Sequence, residues 1–201
     1  MLCGFLTGYL LDADQEIPWA DQYLEYRLKF RFWFQEYDPG YHRRAVRTTW
    51  GLASPVEYDV PRCAAGTPAA RCVHTITGLF EVDRISGAPP QGMRRKLVAA
   101  HFHCHAPTCL GVELWNNATG ALLCRERAVY GGTGRIAEKK FDEPGYIAVP
   151  PCLWGRAEDG LAPPPVVSGQ TLYGVKHTNS TYGHHGEMAW LQVFYIEEAV
   201  A

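Results

Sequence analysis

The sequence predicts an all-β chain, an antiparallel β-sandwich or barrel, on three observations. Apolar and polar residues alternate with period two in several short runs; Gly or Pro clusters interrupt nearly every gap between them; and no amphipathic helix of three turns can be traced. The clearest run is Leu24 to Phe34, where Leu24, Tyr26, Leu28, Phe30, Phe32 and Phe34 alternate with Glu25, Arg27, Lys29, Arg31, Trp33 and Gln35. One apolar and one polar face is the pattern of a half-buried strand. Asp38-Pro39-Gly40 supplies the turn that ends it. Further strands are expected at His42–Thr49, Glu57–Val60, Val73–Val82, Lys96–His105, Gly111–Trp115, Ala121–Arg127, Tyr146–Val149, Leu172–His177 and Met188–Ile196. With no internal repeat and no linker, one domain over residues 1–201 is expected, residues 1–41 forming an N-terminal strand region.

Composition narrows the function classes. A chain of 201 residues with 47% apolar and 12% aromatic side chains can bury a sizeable core. Nineteen basic against 21 acidic residues leave a formal charge of −2, which argues against a nucleic-acid binder. No run of about 18 apolar residues is present, so no membrane span is expected. Seven cysteines (Cys3, Cys63, Cys72, Cys104, Cys109, Cys124, Cys152) follow no zinc-ribbon spacing. Two N-x-S/T sequons, at Asn117 and Asn179, sit among turn-forming residues, where a glycan needs to be. Cysteines and sequons together point to an oxidising, secretory route and an extracellular protein.

Residues 1–12 show no basic n-region, and Gly4 and Gly8 break their apolar stretch, so no signal peptide is legible. The chain is expected to begin after processing or to be a segment of a longer precursor. The odd cysteine count makes Cys3 the candidate free thiol. With the aromatic run 24–34, it suits packing against a partner chain or self-assembly through the N-terminal region.

Eight histidines stand against three methionines, and six of the eight fall in two clusters. His101, His103 and His105 recur at i, i+2 and i+4, on one face of a strand, with neighbouring Cα atoms about 6.6 Å apart. Two adjacent imidazoles can converge on one ion at bonds of about 2.0 Å, whereas the outer pair is about twice as far apart. An adjacent pair is therefore expected, and His103 belongs to either choice. The second cluster holds His177, His184, His185 and, at the start of the last strand, Met188. Two imidazoles with a thioether suit copper, above all Cu(I); His184 or His185 as third ligand would suit zinc or copper alike. The plainer alternative is a pH-sensing polar face. His42 and His74 read as ordinary surface or core residues.

Several segments resemble the plant stress-up-regulated nodulin family. These are Val56-Glu-Tyr-Asp-Val-Pro-Arg-Cys63, the H-x-H strand, Leu114-Trp115 through Cys124, Tyr130-Gly131, Gly145-Tyr-Ile through Cys152, and Gly183-His-His-Gly-Glu-Met188. More distantly the pattern is similar to the C-terminal copper domain of the peptidylglycine α-hydroxylating and dopamine β-monooxygenases. The resemblance spans roughly residues 42–198. It implies a jelly-roll-like, disulfide-stapled β-sandwich, a copper site of an H-x-H pair with Met188, and disulfides Cys63–Cys72 and Cys124–Cys152. Spacing to Leu114 matches the monooxygenases with His101 and His103, and the nodulin pattern with His103 and His105. Cys104 and Cys109 are close enough in sequence to pair, while a strand position would point Cys104 away; both arrangements stay open. The monooxygenases use two copper domains, and this chain has room for one, so their complete reaction does not carry over.

Three functions follow. The first is a secreted copper-binding sandwich with mononuclear redox chemistry. The second is a non-catalytic wall, matrix or filament module stiffened by metal and disulfides. The third, ranked last, is a zinc hydrolase with Glu187 as base.

Overall fold

Alternation sends every second residue of a strand to one face, and the buried residues here mostly follow that rule, with a change of phase between Leu97 and Ala100 at a register shift and a buried run Gly174–Lys176. The computed structural model describes residues 34–40, 42–54, 56–105, 108–130 and 147–200, with Tyr23, Phe30 and Phe32 besides. The chain divides into two compact units, Met1–Arg43 and Arg44–Ala201. In the first, Gly40 N donates to Asp38 Oδ1 and His42 N to Asp38 O, both at 2.8 Å, so the expected turn forms. The expected strand Leu24 to Phe34 lies outside the described residues except for Phe30, Phe32 and Phe34, which are exposed. Cys3 also lies outside them.

The second unit is a disulfide-stapled antiparallel β-sandwich. Its strands are β1 (Val46–Gly51), β2 (Glu57–Val60), β3 (Val73–Glu81), β4 (Met93–His103), β5 (Cys109–Asn116), β6 (Leu122–Glu126), β7 (Val129–Tyr130), β8 (Ile147–Ala148), β9 (Cys152–Leu153), β10 (Thr171–Asn179), β11 (His184–Met188) and β12 (Trp190–Ala199). A short helix, Val82–Ser86, follows β3. One sheet runs β1-β12-β4-β9 and the other β3-β10-β5-β6; β2 pairs with β11 and β7 with β8. Leu97, Ala100 and Phe102 of β4 and Leu191, Val193 and Tyr195 of β12 meet Phe80, Val112, Leu114 and Leu172 of the opposite sheet in one core.

Two departures from the expected strands matter for the site. The last strand was expected as one run from Met188 to Ile196. It breaks at buried Ala189, whose carbonyl accepts Leu52 N at 3.0 Å, because the chain leaves its pairing with β2 there and joins β1 and β4. The histidine strand was expected to reach His105 but ends at His103. Beyond it the Cys104–Cys109 disulfide closes a short loop, resolving the open pairing in favour of that bridge. Cys63–Cys72 and Cys124–Cys152 are also bonded, as the resemblance implied.

A buried carboxyl completes the edge of β4. Strand β9 covers only Ala99 and Ala100, and Pro150-Pro151 precede it, so the Phe102 N–H has no strand partner. Glu126, reaching over from β6, accepts that N–H at 2.9 Å. Burial pushes the Glu126 carboxyl up to about 8, despite the backbone N–H groups of Phe102 and Cys152 that pull it down. The folded state thus holds a proton that the unfolded state releases at about pH 4.5, so this contribution is complete below that pH and is lost as pH rises toward 8. Urea unfolding is expected to show stability falling by a few kcal/mol between pH 5 and 8. Glu126→Gln should flatten that slope, whatever it does to absolute stability.

Candidate metal centre

Both histidine clusters lie at the end of the sandwich where β4 finishes, and a buried ion pair organises that end. On β10 the inward positions run Leu172, Gly174, Lys176 and Thr178, so strand parity itself carries Lys176 into the interior. On β11 the pairing register slips between His184 and Glu187, and Gly186 takes a left-handed conformation at φ 75°. That bulge turns Glu187 inward. Lys176 Nζ and Glu187 Oε1 meet at 2.6 Å, both side chains fully enclosed.

Further hydrogen bonds satisfy most of the pair's remaining sites. Glu187 also accepts Thr108 Oγ1 at 2.6 Å, the His105 backbone N–H at 3.2 Å and the Met188 N–H at 3.3 Å. Lys176 donates a second bond to the Met188 carbonyl at 2.6 Å. Burial alone would raise the Glu187 carboxyl; the Lys176 and Thr108 hydrogen bonds and the Lys176 charge overcome it and hold it below the usual range. Burial also lowers Lys176, with Glu187 opposing the shift. Beside them the Tyr58 hydroxyl, shared with Thr178 at 3.2 Å, is pushed up to about 12 by burial. Glu187 is thus spent on structure and is not free to act as the base of a hydrolase.

The histidines divide by what their rings touch. His184 contacts the Tyr182 carbonyl at 3.2 Å and Glu187 Oε2 at 3.4 Å, and His185 sits 2.8 Å from Asp59. His177 points to the outer face of its sheet and meets Thr75 Oγ1 at 3.0 Å. His101 lies 3.8 Å from Glu126. His103 and His105 stand edge to face with ring centroids 5.1 Å apart, and none of their four ring nitrogens has a hydrogen-bond partner among the described residues. Partial burial, followed by repulsion from His105 and Lys176, pushes His103 below the ordinary histidine range, toward the neutral imidazole that a metal needs. Trp190 is in register with His103, and Met188, two residues earlier, pairs with Glu57 of β2; its backbone N–H and carbonyl are held by Glu187 and Lys176, the former of which also holds the His105 N–H.

Sequence reasoning missed Lys176 and Glu126, although parity with buried neighbours placed both on inward faces. It could not locate the bulge that aims Glu187. Cys124, Glu126 and Cys152 also crowd together, but the two sulfurs are bonded to each other and offer no thiolate. No family model, curated protein or solved structure matches this chain.

Removing one member of a buried pair strands the other charge, at a cost of about 3–5 kcal/mol. Lys176→Met and Glu187→Leu are each expected to show that loss in urea unfolding, and the double variant to recover most of it. If each single loss stays below 1 kcal/mol, the pair does not organise this end.

Proposed function

We propose that the chain is a secreted copper-binding β-sandwich whose ion is held by His103 and His105, with Met188 supplying the third ligand. The observation that carries this reading is the ring pair itself: two adjacent imidazoles with unused nitrogens, in a cluster whose other histidines all face a polar partner. The three disulfides support an oxidising compartment. Among the described residues no helix is long and apolar enough to cross a membrane. The resemblance to the nodulin family and the monooxygenase copper domain points to the same ligand types.

Copper, when bound, supplies one-electron exchange, and a thioether beside two imidazoles favours the reduced ion. The protein's part is positional. Glu187 fixes the His105 backbone and, with Lys176, both backbone polar groups of Met188, so the ion pair sets the spacing of two ligands. Depression of His103 keeps its lone pair available. Zinc is the alternative ion. A non-catalytic extracellular module remains the second reading, favoured by the exposed position of His103 on an outer sheet face.

Chelator-washed, copper-reloaded protein is expected to hold about one ion per chain, the stoichiometry of a single site. His103→Ala and His105→Ala should each abolish binding, and His101→Ala should spare it. Retention of copper by the double variant His103→Ala/His105→Ala sinks the assignment. Ascorbate-driven oxygen consumption separates the two readings: a rate above free-copper background supports redox chemistry, and a rate at background supports the structural module.

A further inference from the structure

The sheet β3-β10-β5-β6 turns an apolar row outward. Leu79, Tyr173, Trp115 and Leu122 lie in register across its four strands, a width of about 14 Å. Leu79 is 62% and Leu122 39% exposed, with Tyr173 and Trp115 half-buried between them. The next row, Thr77, Val175, Glu113 and Arg125, is polar at three of its four positions, with Glu113 Oε1 on Arg125 Nε at 2.7 Å. Glu113 Oε2 accepts the Trp115 indole N–H at 2.9 Å. The indole is therefore anchored at its edge with its only donor used, leaving an apolar π face.

The hairpin between β5 and β6 places a sequon beside that ring. Asn117 N donates to Thr171 O at 3.1 Å, so the pairing with β10 continues one residue past β5. Asn117 therefore shares the outer face with Trp115, two residues earlier and about 6.6 Å away along the strand. Asn116 fastens the turn: its Oδ1 accepts Ala118 N at 3.0 Å and Thr119 N at 3.1 Å, its carbonyl accepts Gly120 N at 2.9 Å, and Gly120 takes φ 67°. The Asn117 carboxamide is exposed and makes no hydrogen bond among the described residues. The second sequon differs: Asn179 is half-buried, its Oδ1 accepts Thr181 N at 2.9 Å, and Ser180 is enclosed between Cys72 and Cys63.

We propose that this hairpin is a glycan-holding site, in which Asn117 carries an N-linked glycan whose first N-acetylglucosamine lies on the Trp115 indole and covers the apolar row. One face of that sugar presents C–H groups, whose partial positive charge suits the negative face of the ring. The occupant is covalently tethered beside the surface it covers, so it needs no affinity of its own. The proposal rests on the secretory part of the proposed function and is independent of copper.

The test uses the full chain secreted from a eukaryotic host behind an added leader, so the route does not depend on the chain's own targeting. Mass spectrometry before and after peptide-N-glycosidase F should find Asn117 modified. Loss of the glycan through Asn117→Gln should lower Tm by about 2–4 °C, the shift a single such contact gives in a domain of this size. In a Trp115→Ala background the same loss should cost under half as much. Trp115→Leu, which keeps an apolar strand residue and removes the π face, should behave like Trp115→Ala. Equal Tm losses in all backgrounds, or an unmodified Asn117 in the secreted chain, overturn the proposal. The secretory reading has its own readout: free thiols at Cys63, Cys72, Cys104, Cys109, Cys124 and Cys152 in protein isolated from its own source defeat that reading, while the Tm comparison still decides the stacking. Copper content of the same samples tests the metal site alone.

Discussion

Lys176 and Glu187 hold opposite charges 2.6 Å apart inside the sandwich, and the end of the molecule that carries the histidines is arranged around them. An enclosed charge is tolerated only when its partner and its remaining hydrogen-bond sites are supplied, and here they come from β10, β11 and the loop after β4. The His105 backbone N–H, the Thr108 hydroxyl and both backbone polar groups of Met188 are the suppliers. Satisfying the pair therefore brings His105 and Met188 to one place. Such a pair contributes little net stability against an apolar replacement, and its consequence here is geometric.

The two outer faces of the sandwich take different chemistry. On the β1-β12-β4-β9 sheet, His101 and His103 project from the end of β4, and the loop beyond adds His105. On the β3-β10-β5-β6 sheet the outward side chains form an apolar row, a row centred on the Glu113–Arg125 ion pair, and then Thr75 with His177. At the far end of β4 a second buried charge, Arg95, is held by Glu197 at 3.1 Å and Asp83 at 3.3 Å and lies against the Tyr195 ring. Charge is thus buried at both ends of one strand, and in each case carboxylates from other elements meet it.

Much of this was legible because strand parity is a local rule. The run from Val73 to Glu81, the turn at Asp38-Pro39-Gly40 and the core positions Phe102, Leu114 and Leu172 follow from alternation and turn chemistry alone. Of the missed elements, Val129–Tyr130 and Cys152–Leu153 are two residues long and too short to show a period, His184–Met188 is interrupted by its bulge, and Val82–Ser86 is a helix of little more than one turn. The strand that was drawn too far, to His105, ends at His103 because a disulfide claims Cys104. No alternation pattern records a covalent bond to another segment.

The sequence by itself determined the fold class, the inward and outward faces of the long strands, and the clustering of the histidines, since each depends on neighbours within a few residues. Which histidines stand together without partners was decided only by tertiary structure. His101 faces Glu126 of β6 and His185 faces Asp59 of β2 through contacts between chain segments that the linear order does not pair, and His184 meets Glu187, three residues on, across a bulge that only the pairing with β2 reveals. Burial of Lys176 against Glu187 belongs to the same class. A charge enters an interior only where the fold delivers its counter-charge, and that delivery requires register, bulge and sheet packing at once.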